Sequence, residues 1–230
     1  MLQAMGVRVW LPRQQSGALI RNEAPTETPK QTDVIAPVVD DVAQLDWSTL
    51  AATVSRCRAC DLHRGRTQTV FGTGDQNAQW MIIGEAPGAE EDRQGEPFVG
   101  RAGQLLNSML IAAGFKRHEV YIANIVKCRP PDNRDPRPEE AVSCGGFLAR
   151  QIELVNPKII LAVGRVAAQR LLKNDTPVGR MRGKLHHYGD DPGVPVVVTY
   201  HPAYLLRSPK EKRKVWQDLL FALEQSESHS

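Results

Sequence analysis

Short apolar runs alternate with amphipathic stretches along most of the chain. Four largely apolar runs are typical of buried parallel strands, at residues 79–84, 120–126, 158–163 and 194–199. Apolar residues recur at helical spacing over residues 102–113, 138–155, 164–172 and 210–223. A further helix is predicted to begin near Asp46, with Ser48 as the alternative cap.

Strands and helices that take turns in this way predict an α/β fold. We expect three α/β/α layers around a central, mainly parallel four-stranded sheet with right-handed crossovers. Functional residues of such folds collect in loops at the carboxyl ends of the strands. Residues 1–44 predict a mobile N-terminal extension, because residues 22–32 show no convincing period, although the apolar residues after Asp33 leave room for a short docked segment. Residues 45–230 are then the folded domain.

Composition narrows the class of protein only slightly. The formal net charge of +3 and the sequence pI of about 8.7 permit a polyanionic partner without requiring one. No apolar run approaches the ~18 residues that a membrane span needs, and Arg8 and Arg13 interrupt the start of the chain. We therefore expect a soluble, cytoplasmic protein without a membrane partner.

The chain has four cysteines, and their spacing favours a metal centre. Cys57 and Cys60 form a C-x-x-C pair, while Cys128 and Cys144 stand far from it in sequence. Disulfides are rare in reducing compartments, so ligands or buried thiols are the better interpretation. Thiolates in this pattern suit zinc or a [4Fe–4S] cluster, and the spacing alone does not separate the two.

Chemically useful side chains follow several of the predicted strands. Glu85 and Phe98 come after the first strand, Asn124 lies near the end of the second, and His201 follows the fourth. Each alone has an ordinary explanation, because turns, caps and core positions use the same residue types. Together they indicate one site, since the carboxyl ends of parallel strands meet at one edge of a sheet.

The strings that carry these side chains resemble the family 4, or thermostable-type, uracil-DNA glycosylases. They are GEAPGAEED, GEPFVGRAGQLLN, NIVKCRPPDNRDP and HPAYLLR, and the similarity covers about residues 45–223. The resemblance implies a DNA repair enzyme that excises uracil from single- and double-stranded DNA and leaves an abasic site. It also implies a monomer with a [4Fe–4S] cluster on Cys57, Cys60, Cys128 and Cys144. The N-terminal extension lies outside the resemblance, and a repair or replication partner is one role that it could have.

The resemblance assigns roles that match the chemistry of base removal, in which the sugar becomes oxocarbenium-like and negative charge builds on the departing base. By resemblance, Glu85 holds the attacking water and His201 donates to uracil O2, so these two are the catalytic residues. Phe98 would stack on the extruded ring, and Asn124 would bond its O4 and N3 edge, which cytosine cannot match. The implied uracil-binding residues are Gly84, Ala86, Glu91, Phe98, Asn124 and His201.

Two of these positions raise specific questions. Glu91 is expected to wall the pocket near uracil C5, where the methyl group of thymine would have to fit. Ala86 stands where the better-known uracil-DNA glycosylases carry an aspartate, so the Glu85 side chain or a backbone carbonyl of the turn must position the water. The basic insertion of relatives that trap DNA covalently is missing, which predicts turnover.

Basic and apolar residues near the predicted site suit a grip on DNA, because extruding a base costs a few kcal/mol. Tyr204, Leu205 and Leu206 could wedge into the base stack. Residues 210–214 would equally suit an ordinary solvated start to the last helix. The DNA-binding candidates are Arg101, Arg134, Leu205, Leu206, Arg207 and Lys210.

Two other classes of function stay open. The first is a non-catalytic iron–sulfur DNA-binding or polymerase-accessory domain of the same fold, against which the presence of Glu85, Asn124 and His201 argues. The second is a zinc-containing hydrolase of free nucleosides or nucleotides. Uracil release from DNA and the metal content of the purified protein distinguish these alternatives.

Overall fold

The computed structural model describes residues 42–228. Most of the predicted extension over residues 1–44 therefore lies outside the described residues. Val42, which the prediction assigned to the extension, is buried in the core and only 5% exposed. Val42 lies in the stretch after Asp33 for which the sequence leaves room for a docked segment.

The central sheet has six strands in the order β1-β3-β2-β4-β6-β5. Strands β3, β2, β4 and β6 are parallel, which confirms the four predicted strands. The two edge strands, β1 and β5, pair antiparallel and were not predicted, because β1 has only two residues and β5 is polar and only partly buried. The bounds are β1 Thr73–Gly74, β2 Trp80–Gly84, β3 Tyr121–Asn124, β4 Ile159–Val163, β5 Leu185–Tyr188 and β6 Val194–Thr199.

The long helices confirm the periodic pattern, and the short ones were missed because they span too few residues to show a period. Asp46, rather than Ser48, caps the first helix by accepting a hydrogen bond from the Thr49 backbone. The bounds are α1 Trp47–Arg56, α2 Ala89–Gln94, α3 Arg101–Ala112, α4 Pro138–Val155, α5 Arg165–Leu171, α6 Val178–Met181, α7 Pro202–Arg207 and α8 Lys212–Ser228. Short 3₁₀ turns occupy Asp61–Arg64, Arg117–Glu119, Pro131–Asn133 and Pro209–Glu211.

Hydrophobic clusters cover both faces of the sheet. Successive strand side chains point to opposite faces, and within β2 Met81 belongs to one cluster and Ile82 to the other. Helices α1, α4 and α5 contribute to the first cluster, and α3, α7 and α8 to the second. The three-layer α/β/α architecture is therefore confirmed. Within residues 42–228, no helix combines the length and the apolar character that crossing a membrane requires.

Candidate active site

A cavity of about 820 Å³ opens where the four parallel strands end. The loops that follow β2, β3, β4 and β6 all contribute to its wall. Side chains from widely separated stretches of sequence thus meet around one space, as the fold class predicts. The predicted site residues that line it are Glu85, Ala86, Glu91, Phe98, Asn124, Arg134, His201 and Arg207.

Phe98 forms part of this wall in an uncommon backbone conformation. Its φ is +54°, in the left-handed region that bulky residues seldom adopt. Its carbonyl oxygen accepts a hydrogen bond of 3.3 Å from Arg117, and a Cβ at Gly103 would lie only 1.8 Å from that oxygen. Arg117 and the glycine in α3 therefore hold the turn that presents the Phe98 ring, which is buried and 6% exposed.

Gly84 lies against the Phe98 ring at the end of β2. A Cβ at this position would come within 2.6 Å of Phe98 Cζ and 2.5 Å of Asn124 Oδ1. The close approach of the ring and the amide therefore requires glycine. Gly84 was predicted as a uracil-binding residue, but it does not belong to the cavity wall among the described residues and instead lets two wall residues pack together.

Asn124 ends β3 and is 2% exposed. Its Oδ1 is buried and has no hydrogen-bond partner among the described residues. Leaving a buried acceptor unsatisfied costs about 1–3 kcal/mol, so such an atom at a cavity wall indicates a ligand that donates to it. The backbone carbonyl of Asn124 is fixed separately, by a 3.0 Å hydrogen bond from the Lys127 ammonium.

His201 is neutral at pH 7 and carries its proton on Nε2. Its Nδ1 accepts a 3.1 Å hydrogen bond from the Ala203 backbone as the cap of α7, which leaves Nε2 as the protonated nitrogen. Burial and then the charge of Arg207 lower the pKa of His201 to about 4, against a smaller opposing effect of Glu91. The ring centroids of His201 and Phe98 lie 5.6 Å apart.

Glu85 follows β2 directly and lines the cavity. Burial, a side-chain hydrogen bond with Asp135 and the charge of Asp135 raise the pKa of Glu85 to about 7, while Arg165 acts in the opposite direction. Glu85 therefore changes charge close to neutral pH. A group with such a pKa can exchange a proton with a reactant under physiological conditions.

Glu91 joins two loops of the cavity wall. Its Oε2 accepts a hydrogen bond of 3.1 Å from the Gly88 backbone, and its Oε1 accepts bonds of 3.0 Å each from Val99 and Gly100. The carboxylate is thus engaged by backbone N–H groups on both sides. It ties the start of α2 to the turn that carries Phe98, in addition to lining the cavity as expected.

The apolar DNA-binding candidates differ in how far their side chains are exposed to solvent. Leu205 was predicted as a wedge, but this prediction is wrong because Leu205 is 1% exposed and packs in the core between α3 and α8. Leu206 and Tyr204, on the outer side of α7, are 40% and 37% exposed. Helix formation over Pro202–Arg207 explains the difference, since adjacent helical residues face different directions.

The predicted basic residues stand at the rim or on the surface. Arg134 and Arg207 line the cavity, and Arg134 also forms hydrogen bonds of 2.9 and 2.6 Å with both oxygens of Glu140. Arg101 begins α3 and Lys210 lies in a 3₁₀ turn, and both are exposed. Arg134 is therefore held in place, whereas the other three side chains have more freedom.

The four cysteines line a second, small cavity together. Three N–H donors face their sulfurs: Arg66 donates to Cys128 Sγ at 2.9 Å, the Lys127 backbone to Cys144 Sγ at 3.3 Å, and the Ala59 backbone to Cys57 Sγ at 3.5 Å. Burial raises the pKa of the Cys144 thiol to about 12. Coordination to a metal would have the opposite effect, because a coordinating thiol loses its proton. In residues 42–228, no three or more His, Cys, Asp or Glu side chains are grouped tightly enough to hold a single metal ion.

Lys127 connects the cysteine cavity with the part of the larger cavity wall that Asn124 forms. Its side chain is 1% exposed, and its ammonium donates to the Asn124 carbonyl at 3.0 Å and to Gln151 Oε1 at 2.5 Å. No carboxylate of the described residues forms an ion pair with it. Buried charges need a counter-charge, and the thiolates of an occupied cysteine site would supply one.

Comparison with known proteins identifies the family. The sequence profile of the Uracil DNA glycosylase superfamily matches residues 71–220. A type-4 uracil-DNA glycosylase of Archaeoglobus fulgidus is 44% identical over 172 residues, which are 72% of this chain and 85% of that protein. A type-4 uracil-DNA glycosylase of Thermotoga maritima is 45% identical over 170 residues, 72% of this chain and 87% of that protein. The chain belongs to the type-4 uracil-DNA glycosylases.

Part of a DNA polymerase of Bacillus phage SP01 is also similar to this type-4 uracil-DNA glycosylase. The two are 32% identical over 149 residues, which are 64% of this chain and 16% of the polymerase. Membership of the family confirms the resemblance drawn from the four sequence strings.

The sequence did not single out every residue of the glycosylase cavity. Asp135, Arg165 and Tyr200 line it as well. Arg165 follows β4, the parallel strand for which no site residue was predicted, and Tyr200 directly precedes His201. Asp135 lies within the string NIVKCRPPDNRDP. It was not predicted as a site residue because a lone aspartate in a loop is ordinarily solvated. The rule that loops after parallel strands carry the site could have found Arg165 and Tyr200.

Proposed function

We propose that this type-4 uracil-DNA glycosylase hydrolyses the bond between uracil and deoxyribose in single- and double-stranded DNA and leaves an abasic site. The convergence of Asn124 and His201 on one cavity carries the proposal. Asn124 Oδ1 lacks a partner among the described residues, and His201 offers a proton on Nε2. A uracil ring presents matching groups, a donor at N3 and an acceptor at O2.

Asn124 reads the edge of the base in this proposal. Oδ1 accepts the N3 proton and the amide nitrogen donates to O4, while Phe98 stacks on the ring. Cytosine carries an amino donor in place of O4 and lacks the N3 proton, so it leaves both amide groups mismatched in a buried site. Glu91 shapes the neighbouring wall through the backbone N–H groups that it binds.

His201 stabilises the departing uracil. Negative charge develops on uracil O2 as the bond from N1 to the sugar breaks, and the Nε2 proton lies ready to hydrogen-bond to it. A neutral donor is useful here because the fixed tautomer needs no proton uptake before the reaction. The low pKa of His201, about 4, keeps it neutral across the physiological range.

Glu85 manages the attacking water. When its carboxylate is ionised it accepts the proton of the water whose oxygen forms the new bond to C1′ of the sugar, and its charge also stabilises the oxocarbenium-like sugar. The bonding electrons leave with uracil. Ala86 brings no second carboxylate to the turn, so the role falls on Glu85 or on a backbone carbonyl of the turn.

DNA is gripped at the rim of the cavity. Arg101, Arg134, Arg207 and Lys210 contact phosphates, and Leu206 is the apolar residue best placed to enter the base stack, because it is 40% exposed. Turnover, monomeric action and a cytoplasmic location remain part of the proposal, as does a repair or replication partner for the N-terminal extension.

Cys57, Cys60, Cys128 and Cys144 hold a [4Fe–4S] cluster with a structural role. Their shared cavity, the Arg66 and Lys127 donors to sulfur, and the buried ammonium of Lys127 suit an anionic thiolate cluster. When bound, the cluster would join the segment after α1 to the loop after β3 and to α4 and so stabilise the fold.

Uracil release is the decisive experiment. Oligonucleotides with a single uracil, opposite guanine, opposite adenine or unpaired, should yield free uracil and an abasic site, whereas matched oligonucleotides with cytosine or thymine should stay intact. Anaerobically purified protein should contain iron and acid-labile sulfide. A protein that releases no uracil from any of the three substrates contradicts the proposal, and stoichiometric zinc without iron contradicts the cluster.

A non-catalytic DNA-binding or polymerase-accessory domain is the second candidate. The similarity to part of a phage DNA polymerase favours it, because such a segment can stand within a replication protein. Binding to uracil-containing DNA without release of uracil would support it. The intact set of Glu85, Asn124 and His201 around one cavity favours catalysis instead.

A further inference from the structure

Two tyrosine rings line the cavity next to His201. Tyr200 directly precedes His201, and Tyr204 lies in α7. Their ring centroids lie 5.1 Å apart and the ring planes are inclined by 48°, within the range of distances at which aromatic rings attract each other. Tyr200 is half-buried and packs against both hydrophobic clusters, whereas Tyr204 is exposed. The pair therefore carries aromatic surface from the wall of the cavity to its rim.

A buried ion pair holds the inner tyrosine. The Arg182 guanidinium lies over the Tyr200 ring, with Cζ 4.7 Å from the ring centroid. Asp218 accepts hydrogen bonds of 2.7 and 2.8 Å from this guanidinium and one of 2.6 Å from Thr199, the residue before Tyr200. Both side chains of the ion pair lie largely out of solvent. Asp218 thus fixes the chain and the cation on either side of Tyr200, so the tyrosine pair is organised before any ligand arrives.

The cavity has room for more than one pyrimidine base. Its volume of about 820 Å³ lies in the upper part of the range of about 300–1,000 Å³ that is typical of pockets for drug-sized ligands, and uracil is smaller than such a ligand. The proposed function assigns the uracil ring to Phe98, Asn124 and His201. The tyrosine pair is left for a second group of the same DNA strand.

The surroundings of the pair match the chemistry of a nucleotide. Arg207 ends α7 and lines the cavity, and Leu206 is exposed on the same helix. Sites for single-stranded nucleic acid combine basic side chains along the phosphate backbone with aromatic rings on which bases stack. A base offers a flat π-face to Tyr204, and Arg207 offers a cation to the phosphate that accompanies it.

We propose that Tyr204, supported by Tyr200, forms a stacking site for a nucleobase next to the extruded uracil. This inference rests on the proposed function and adds a second base to those that the glycosylase binds. Extruding uracil removes a stacking partner from its neighbours, and contact with Tyr204 replaces that partner. The site accepts any of the four bases, because every base has a π-face.

Single-stranded oligonucleotides with one uracil test the site. One is complete, and two others carry an abasic analogue in place of the nucleotide on the 5′ or the 3′ side of the uracil. Single-turnover release of uracil over a series of enzyme concentrations separates the half-saturating concentration from the maximal rate. The parent should need about tenfold more enzyme for half-saturation when the base on one of the two sides is missing, because base–aromatic stacking contributes about this much to affinity.

Substitutions identify the ring that makes the contact. Tyr204→Ala should raise the half-saturating concentration about tenfold on the complete oligonucleotide and cause no further loss when the neighbouring base is missing, since ring and base are partners in one contact. Tyr204→Phe keeps the ring and should restore parental half-saturation. Trp216 in α8 is 41% exposed, against 37% for Tyr204, and lies outside the wall that residues 42–228 form around the cavity. Trp216→Ala is therefore the control.

Two results overturn the inference. One is equal half-saturation of the parent on all three oligonucleotides, and the other is a loss from Tyr204→Ala that multiplies with the loss from the missing base. A parent that releases no uracil contradicts the proposed function instead. The same comparisons are then made by fluorescence anisotropy of labelled oligonucleotides, which measures binding without release and decides the stacking site on its own.

Discussion

The Lys127 ammonium donates a hydrogen bond of 3.0 Å to the carbonyl oxygen of Asn124. Lys127 directly precedes Cys128, and its own N–H binds Cys144 Sγ. One buried residue therefore links two of the cysteines proposed to hold the cluster to the residue that we propose reads the base.

Replacing Lys127 with methionine should weaken both catalysis and stability. The change leaves the Asn124 carbonyl and Gln151 Oε1 without a donor, at a cost of about 1–3 kcal/mol for each buried group. We expect a loss of about tenfold or more in single-turnover rate on uracil DNA and a lower Tm. Lys184→Met removes an exposed ammonium and is the control. Equal rates and Tm values for both variants would show that Lys127 does not hold Asn124.

Gly84→Ala should disable the base pocket. The new Cβ would come within 2.6 Å of Phe98 Cζ and 2.5 Å of Asn124 Oδ1, so the ring and the amide must separate. We expect a loss of uracil excision of at least about a hundredfold, because small displacements at a reacting centre have large effects on rate. Gly145→Ala, in α4, adds a Cβ with no neighbouring atom within 4 Å and should retain activity. Parental activity in Gly84→Ala would show that uracil excision does not require the close packing of Phe98 and Asn124 against Gly84.

His201→Ala should lose most of the activity and still fold. Removing one donor from a developing negative charge typically lowers the rate by about 10² to 10³. The measurement is single-turnover uracil release, with circular dichroism as the test of folding. Activity within a few-fold of the parent would exclude His201 from the mechanism.

Stability should respond to pH in opposite directions at Glu85 and His201. Glu85 has a raised pKa of about 7, so its contribution is present below the ordinary value of 4.5 and is lost as pH rises through 7. His201 has a lowered pKa of about 4, so its contribution is present above 6.5 and is lost as pH falls through 4. The two effects offset each other between about pH 4.5 and 6.5.

Replacing Glu85 or His201 with glutamine should reveal the pH dependence of stability that the remaining residue causes. As pH falls from 6.5 to 4.5, Tm should fall more steeply in Glu85→Gln than in the parent, and less steeply in His201→Gln. Thermal scans at half-unit pH intervals measure both slopes. Identical slopes for the two variants would show that neither group titrates in this window in the folded protein.

Cys144→Ser should lower the iron content of the purified protein and its Tm. Serine does not supply the soft thiolate that iron–sulfur clusters require, and a bound metal centre contributes to folding. Ser143→Ala changes a neighbour that lines the same cavity and should retain iron. Full iron and sulfide content in Cys144→Ser would exclude Cys144 as a ligand.

Periodicity found the framework of the fold because long elements repeat their pattern several times. The 18 residues of α4 and the fully buried residues of β2, β3 and β4 are clear examples. The two-residue strand β1 and the four-residue helix α6 escaped because so few residues cannot show a period. Their positions depend on pairing with β3 and on packing beside β6, which are contacts between distant parts of the chain.

In the candidate site, too, the sequence predicted some features and only the packing of the chain decided others. Its residue types and their order along the chain identified Glu85, Phe98, Asn124 and His201, since parallel strands must bring their carboxyl ends together. Local pattern could not show that Leu205 faces the core, because its orientation depends on how α7 packs between α3 and α8.

The sequence by itself determined the α/β class, the family and the set of side chains available for chemistry, because these follow from period, order and residue type. Only the tertiary structure decided the charge and orientation of those side chains. The lowered pKa of His201, the raised pKa of Glu85 and the hydrogen bond from buried Lys127 to Gln151 all depend on burial in the folded chain or on neighbours remote in sequence. Electrostatic free energies depend on distance and local dielectric, and only the folded chain fixes both.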